Sequence, residues 1–429
     1  MFYLIETPDQ FAEIRDILTD KCYIDYVLGN DNTHPALAEV IAIYVSSLDR
    51  KGFILPLNHP ECINLNKEEV WQWINEKSFF TKDSKATRHI NPTNPHTDIQ
   101  HLHYKQTNLP FDDKFNTQAH THYYRKFPQI KVNKMIPIGK HFERCELRKN
   151  ALIPLLSENV DPLYNEIILP SLYHIEKNSI KINDHFETYF KLTCDKHSTK
   201  DNNIYGWYNP YTTTGRPVNN FNGLSFMGLK HKTGERKSFE PKNDLLIEVD
   251  YSGYHPRLIA DMVGFSFSKA DVYEELSEVY NDPDINPKEH TFKQMYGGIR
   301  KENLHHPYFS RAQEYIDLNW EMFNRMGYVE TTLGKKIQKQ NHPKLTRQQL
   351  FNYLIQAYET ETNMQVVKEL NEYLEDKQST LILYVYDSFL FDFSKSDGKE
   401  TLVEIKEIVS RKHPIKMKIG KNYDVLEAL

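Results

Sequence analysis

Apolar positions fall into two patterned regions separated by polar chain. Apolar residues recur at helical spacing over Pro8–Leu18, and Cys22–Val27, Val40–Ser46 and Gly52–Leu57 are short apolar runs, the last following a turn at Asp49–Gly52. This pattern predicts an α/β unit, one helix and three strands, within residues 1–60. Residues 80–125 are polar and rich in His, Asn, Thr and Pro, which predicts loop with little regular structure. Residues 140–190 read as helical, and Asp201–Lys242 is broken by Gly, Asn, Thr and Pro. The pattern then predicts a strand at Leu245–Val249 and helical segments to about residue 374. A strand at Leu381–Tyr386, its hairpin partner Phe389–Phe393 and a helix at Lys399–Arg411 follow. The class expected is therefore a multidomain α+β or α/β protein, a mixed sheet backed by helices, without internal repeats.

The length of 429 residues suggests two or three domains at about 150 residues each. Hydrophobic residues at 39% allow real cores and exclude a disordered chain. The net charge of −6 removes any whole-chain basic footprint, so nucleic acid would have to use a local patch, of which Tyr124–Arg144 is one candidate. No apolar run approaches the roughly 18 residues of a membrane span, so no membrane partner is expected. Met1–Glu6 lacks the cationic lead of a signal peptide, and Cys22, Cys62, Cys145 and Cys194 are too scattered for a disulfide framework or a zinc site. A cytoplasmic protein is the expectation.

Three segments carry chemistry. In Leu245–Ser252 an apolar strand delivers Asp250 at its end, where an Asp also suits a helix N-cap. In Leu381–Phe391 a hydrophobic hairpin has its only acid, Asp387, at the turn, where Asp is also ordinary turn chemistry. Together the two meet a stricter need, since carboxylates on adjacent strand ends can hold two Mg²⁺ ions about 3.5–4 Å apart. Mg²⁺ favours one or two carboxylates supplemented by substrate phosphates. The third segment spaces Lys288, Phe292 and Tyr296 by four, on one helix face, which suits a nucleoside triphosphate: cation to phosphates, rings to base. A core stripe capped by Gly297 or Gly298 would show the same spacing.

These residues resemble the family A (DNA polymerase I-like) DNA polymerases. Asp250-Tyr251-Ser252 with Arg257-Leu258-Ile259-Ala260 looks like motif A, Lys288–Gly297 like motif B on the fingers helix, and Val385-Tyr386-Asp387 like motif C. In the right order come Thr213-Thr214-Gly215-Arg216, similar to the T-G-R segment, and Gly327-Tyr328-Val329 with Thr331, Leu333, Gly334, Lys335 and Lys336, similar to G-Y-V-x-T-x-x-G-R-R. Asn352 and Gln356 match N-x-x-x-Q, and Gly420–Tyr423 the usual ending, so the resemblance spans residues 210–429. It implies that Asp250, Asp387 and the Tyr251 backbone hold two Mg²⁺ ions (Mn²⁺ as a substitute), with Asp250 and Asp387 catalytic. It implies that Lys288, Phe292, Tyr296 and His255 bind dNTP. Arg216, Arg257, Asn352, Gln356 and Tyr386 would hold the DNA primer–template. The function implied is extension of a primer 3′-OH on a template.

Departures qualify this. His255 stands where motif A has a Glu that blocks a ribose 2′-OH and hydrogen bonds the Tyr matching Tyr296; Ser388 follows the motif C Asp, as in single-subunit RNA polymerases. An RNA-synthesising or sugar-tolerant polymerase is therefore the alternative, and a silent nucleic-acid-binding protein on the same fold a second one. Asp284 occupies the place of a triphosphate-binding Arg, so one cationic contact is missing or comes from elsewhere, with Lys293 and Arg300 as the candidates. Phe2–His59 resembles the start of the family's 3′–5′ exonuclease domain, a ribonuclease H-like fold, but its D-x-E reads Asp25-Tyr26-Val27 and Arg148 stands near the expected third acid. A non-catalytic remnant without proofreading is expected. Ile168–Asn178 resembles the opening of the polymerase domain, and the short interval to Thr213 implies a reduced thumb. The organisation expected is thus 1–160 exonuclease-like, 161–209 connector and reduced thumb, 210–429 palm with fingers at about 265–345. The small size suggests a phage or mobile-element enzyme using a processivity factor or other replisome partner.

Overall fold

The computed structural model describes residues 3–18, 21–94, 96–127, 132–157, 159–190, 201–219, 224–229, 233–280, 284–332 and 334–429. Phe2, Cys194 and Leu333 of the segments above lie outside these. Two compact units result: 1–106, 110–173 and 192–207 form the first, and 107–109, 174–191 and 208–429 the second.

In unit 1 the apolar runs become a six-stranded mixed sheet. Its strands are β1 (Tyr3–Leu4), β2 (Cys22–Leu28), β3 (Val40–Ser47), β4 (Phe53–Pro56), β5 (Phe79–Thr81) and β6 (Thr97–Asp98), in the order β1-β4-β3-β2-β5-β6. β2, β3 and β4 form an antiparallel meander, while β1–β4, β2–β5 and β5–β6 pair in parallel. β2 is buried on both faces, which explains its continuous apolar run. Ile24 and Tyr26 pack with Phe11 of α1 (Pro8–Ile17) and Trp73 of α2 (Lys67–Asn75). Tyr23 and Val27 pack on the other face with Leu102, Phe142 and Cys145. α1 begins in a capping box, Thr7 and Gln10 each satisfying the other's backbone N–H.

The polar stretch 80–125 does not form the expected loop. It contains helices α3 (Ser84–Ile90), α4 (Gln100–Thr107) and α5 (Gln118–Lys126), with Asp83 and Thr117 as N-caps of the first and third. Several of its polar residues are buried and satisfy backbone groups: Asp98 accepts from the Ser84 N–H at 3.0 Å and the His101 N–H at 3.2 Å, and Asn94 donates to the Ile74 carbonyl at 2.6 Å. Helical α6 (Ile138–Leu152) opens the region 140–190 as expected, but Ile180–Ile182 is a strand; its alternating Ile-Lys-Ile is period two. Between Asn178 and Thr213 the longest helix among the described residues is His185–Phe190.

Unit 2 is built on a five-stranded antiparallel sheet. Its strands β7 (Leu245–Tyr251), β8 (Thr380–Val385), β9 (Ser388–Phe393), β10 (Ile415–Asn422) and β11 (Val425–Ala428) run in the order β8-β9-β7-β10-β11. The helices used below are α7 (Tyr254–Met262), α8 (Val272–Tyr280), α9 (Pro287–Gly297), α10 (Pro307–Met326), α11 (Arg347–Tyr373) and α12 (Gly398–Ser410). α7, α9, α10 and α11 share a core of Ile259, Met295, Phe309, Ile316 and Ile355. No helix of the described residues is long and apolar enough to cross a membrane.

Candidate active site

Central strand β7 sets the first carboxylate. Asp250 sits near its end, in register with Ser388 of β9 and Lys416 of β10. β8 and β9 are joined by only Tyr386 and Asp387, with Val385 paired to Ser388. Tyr386 has φ of 59°, the left-handed region a side chain seldom occupies, so the turn is strained. Three contacts hold it: the Tyr251 N–H donates to the Asp387 carbonyl at 3.1 Å, Asn363 of α11 donates to the Tyr386 carbonyl at 2.9 Å, and the Arg216 guanidinium lies 3.5 Å from the Tyr386 ring centre. The turn thus places Asp387 beside Asp250.

Burial acts on both carboxylates, and the Asp387 charge acts on Asp250. Burial, with the Asp387 charge next, pushes Asp250 up to about 6. Burial also raises Asp387, with the Glu359 charge adding to it. Neither forms an ion pair among the described residues. These are neighbouring, half-buried carboxylates, neither in an ion pair, which suits a divalent cation. No cluster of three or more His, Cys, Asp or Glu that could hold a metal occurs among the described residues. A two-carboxylate donor set fits an ion that completes its shell with substrate phosphates and water.

A cavity of about 320 Å³ opens over this pair. Asp250, Asp387, Lys416 and Arg216 line it on one side, Lys288, Phe292 and Tyr296 of α9 on another, and His255 of α7 and Tyr273 of α8 complete it. Asn286 caps α9 and Pro287 occupies its first turn, so Lys288 stands exposed at the helix start. Phe292 and Tyr296 stack with ring centres 5.6 Å apart, and Tyr273 lies 6.4 Å from Phe292. Gly253 starts α7 at φ of 61°, and a Cβ there would come within 2.5 Å of Val272, so only glycine fits.

The remaining expected residues divide. Gly215 at φ of 80° turns the T-G-R segment, and Arg216 points into the cavity rather than out to a groove; it donates to Glu359 at 2.8 Å. Arg257 is away from the cavity lining and binds the Ser252 carbonyl at 3.0 Å and the Ala270 carbonyl at 2.6 Å. Asn352 and Gln356 are half-buried on α11, outside the lining; the Asn352 Oδ1 is buried without a hydrogen-bond partner. Neither Lys293 nor Arg300 lines the cavity; Lys416 does, because β10 pairs beside β7.

Sequence reasoning missed Glu359, Asn363, Tyr273 and Lys416. Glu359 is fully buried; its carboxylate accepts from Arg216 and contacts His255 Nε2 at 3.0 Å, while His255 Nδ1 meets the Tyr296 hydroxyl. A signal existed: Glu359-Thr360-Glu361-Thr362-Asn363 is a run of five consecutive polar residues, all buried, in the middle of a long helix. Removing one member of a buried ion pair leaves the other uncompensated. Glu359→Ala should therefore lower unfolding free energy by about 3–5 kcal/mol, read by denaturant titration; a loss within error of zero would mean that Arg216 and His255 need no partner.

No protein-family model matches the chain, and no curated protein matches it significantly. Among solved structures the chain is similar to the POL domain of Pol1 from M. smegmatis, solved in complex with DNA primer-template and dNTP. The identity is 13%, the match covers 99% of this chain and 100% of that one, and the TM-score is 0.71. The chain has the fold of a polymerase domain.

Proposed function

We propose that this chain is a template-directed DNA polymerase that extends a primer 3′-OH with dNTPs. The observation that carries the reading is the cavity, which collects Asp250, Asp387, Lys288, Phe292, Tyr296 and His255 from separate segments onto one polymerase-type fold. The Pol1 domain that it resembles was solved with primer-template and dNTP.

Asp250 and Asp387, with the Tyr251 carbonyl, would hold two Mg²⁺ ions. Bound there, Mg²⁺ supplies stabilisation of the charge that develops on the phosphoryl group. The chain's own residues position the rest. Lys288 meets the triphosphate charge and Phe292 and Tyr296 present a stacked face to the base. The primer O3′ attacks the α-phosphorus, the bond to the bridging oxygen breaks, and pyrophosphate leaves. Catalysis is then alignment and preorganised electrostatics. Arg216, Arg257, Asn352, Gln356 and Tyr386 serve primer-template by support of the fold or by contact; a processivity factor would compensate for the short region between Asn178 and Thr213.

We read residues 1–160 as an exonuclease-like domain without proofreading, 161–209 as connector and reduced thumb, and 210–429 as palm and fingers. The meander extended by parallel strands supports the ribonuclease H-like reading of the first. Arg148 supports the loss of nuclease chemistry, since its guanidinium bonds Asp25 and donates to Asp113 at 2.8 Å, and Lys82 pairs with Asp113 as well. A cation occupies the place between carboxylates that a nuclease metal would need.

Primer extension tests the reading. Template-dependent products with dNTPs in Mg²⁺, and none from a 3′-labelled single strand incubated without dNTPs, are expected. Equal products with rNTPs would favour the sugar-tolerant alternative, motivated by His255 and Ser388, and absence of products with either would favour a binding protein.

A further inference from the structure

We propose that the outer edge of β1 takes up an extended segment of a partner protein as an added strand, with apolar side chains on one face of that segment and Lys or Arg on the other. β1 ends the six-stranded sheet and pairs with β4 alone among the described residues. The Ile5 N–H donates to the Ile54 carbonyl at 3.1 Å, so by alternation the Leu4 N–H and carbonyl face away from β4. A sheet edge with outward backbone groups is a template for another strand. This edge lies between two hollows, one on each face of the sheet. Ile5 packs with Phe11 and Ile14 on the α1 face, where a hollow of about 650 Å³ runs along Gln10, Ile14 and Ile17 to Phe53 of β4. Leu4 packs on the α6 face, where a hollow of about 750 Å³ runs along Ile138, Phe142 and Leu147. Tyr3, Ile17 and Leu147 are 50%, 48% and 47% exposed. Both helices therefore present apolar side chains beside the edge that no strand of the described residues covers.

The two hollows define the occupant. Successive side chains of a strand point to opposite faces, so a segment paired to β1 drops alternate residues into one hollow and then the other. Their charges differ. On the α1 face Glu13 is set against Arg50 and Lys51, and the walls of Tyr3, Ile14 and Ile17 suit an apolar residue. On the α6 face Glu6, Glu61, Glu143 and Glu146 stand against Lys51 and Lys140, and Lys140 is already paired with Glu143 at 2.7 Å. A Lys or Arg fits there, with its methylene stem over Leu4 and Phe142 and its charge among the carboxylates. The same carboxylate excess repels phosphates, so a nucleic-acid strand does not suit this edge. The chemistry of the segment is thus apolar and basic in strict alternation.

Fluorescence anisotropy of the full chain with short labelled peptides reads the site. A peptide alternating Leu and Lys should bind at least about tenfold tighter than the same residues arranged as a Leu block and a Lys block, the worth of one buried apolar side chain. Ile17→Lys and Glu143→Lys, both at exposed positions, should each weaken the alternating peptide on the order of tenfold with circular dichroism unchanged. Methylating the peptide nitrogens at every second residue tests strand pairing on the wild-type chain. One set of alternate positions should abolish binding and the other preserve it, because only one edge of the segment meets β1. No binding of the alternating peptide, equal binding of the block peptide, binding kept with both methylated sets, or no effect of either variant would overturn the inference. A dimer seen by sedimentation without peptide, and lost in Ile17→Lys and Glu143→Lys, would give the edge to a second copy of this chain and overturn the assignment to a partner.

Discussion

Asp387→Asn should reduce primer extension on the order of a thousandfold while raising the melting temperature. The activity loss follows from removing one of two carboxylates that must hold the ions; several kcal/mol of transition-state stabilisation corresponds to about three decades in rate. The stability gain follows from the site as folded. Asp250 and Asp387 are both raised, by burial first and by neighbouring negative charge second, so both are disfavoured as anions at neutral pH. An amide of the same shape at 387 removes one of the charges and relieves the other. The pair of outcomes is informative, because a misfolded variant would lose activity and melt lower. Full extension activity in a well-folded Asp387→Asn would end the assignment of this residue.

Unit 1 should become acid-labile well before unit 2. Burial holds His96 down to about 4 and pushes His120 and His141 below the usual histidine range, with the charge of Arg144 adding to the last two. The sign is fixed by linkage. A histidine kept neutral in the fold takes up a proton on unfolding, so its contribution is full above the unfolded value near 6.5 and is lost as pH falls below it. At pH 5 the loss is about 2 kcal/mol for each such histidine. Below about pH 4, Asp31 and Asp113, held low by Arg144 and by Arg148 with Lys82, add losses of the same sign. Asp83 opposes this within unit 1, and Asp250, Asp387 and Asp392 oppose it in unit 2, because raised carboxylates favour the fold on acidification. Melting at pH 7 and pH 5, followed by hydrogen exchange in each unit, should show protection falling first over residues of unit 1. Equal protection at both pH values would contradict the burial of these imidazoles.

Much of this was legible in the chain. Apolar runs with period two or continuous burial marked β2, β3, β4, β7, β8 and β9, because a strand's pattern is local and the core enforces it. Asp250, Asp387 and the Lys288–Tyr296 face were legible because each lies at a punctuation point, a strand end, a turn or a helix start, where short-range geometry alone aims the side chain. The helices of 80–125 were not, since their polar residues stabilise backbone groups brought from elsewhere, and a polar composition reads the same whether its partners are protein or water. Glu359 and Lys416 were not either. Lys416 lines the cavity and buried Glu359 contacts the lining residues Arg216 and His255 because a separate strand or helix packs beside β7 or α9, and the value of a buried carboxylate depends on cations, Arg216 above all, distant in sequence. Local pattern was enough for the central strands and for the positions of the candidate carboxylates; which charges stand next to them follows from packing, because electrostatic pairing is set by distance in space and burial, neither of which a linear pattern contains.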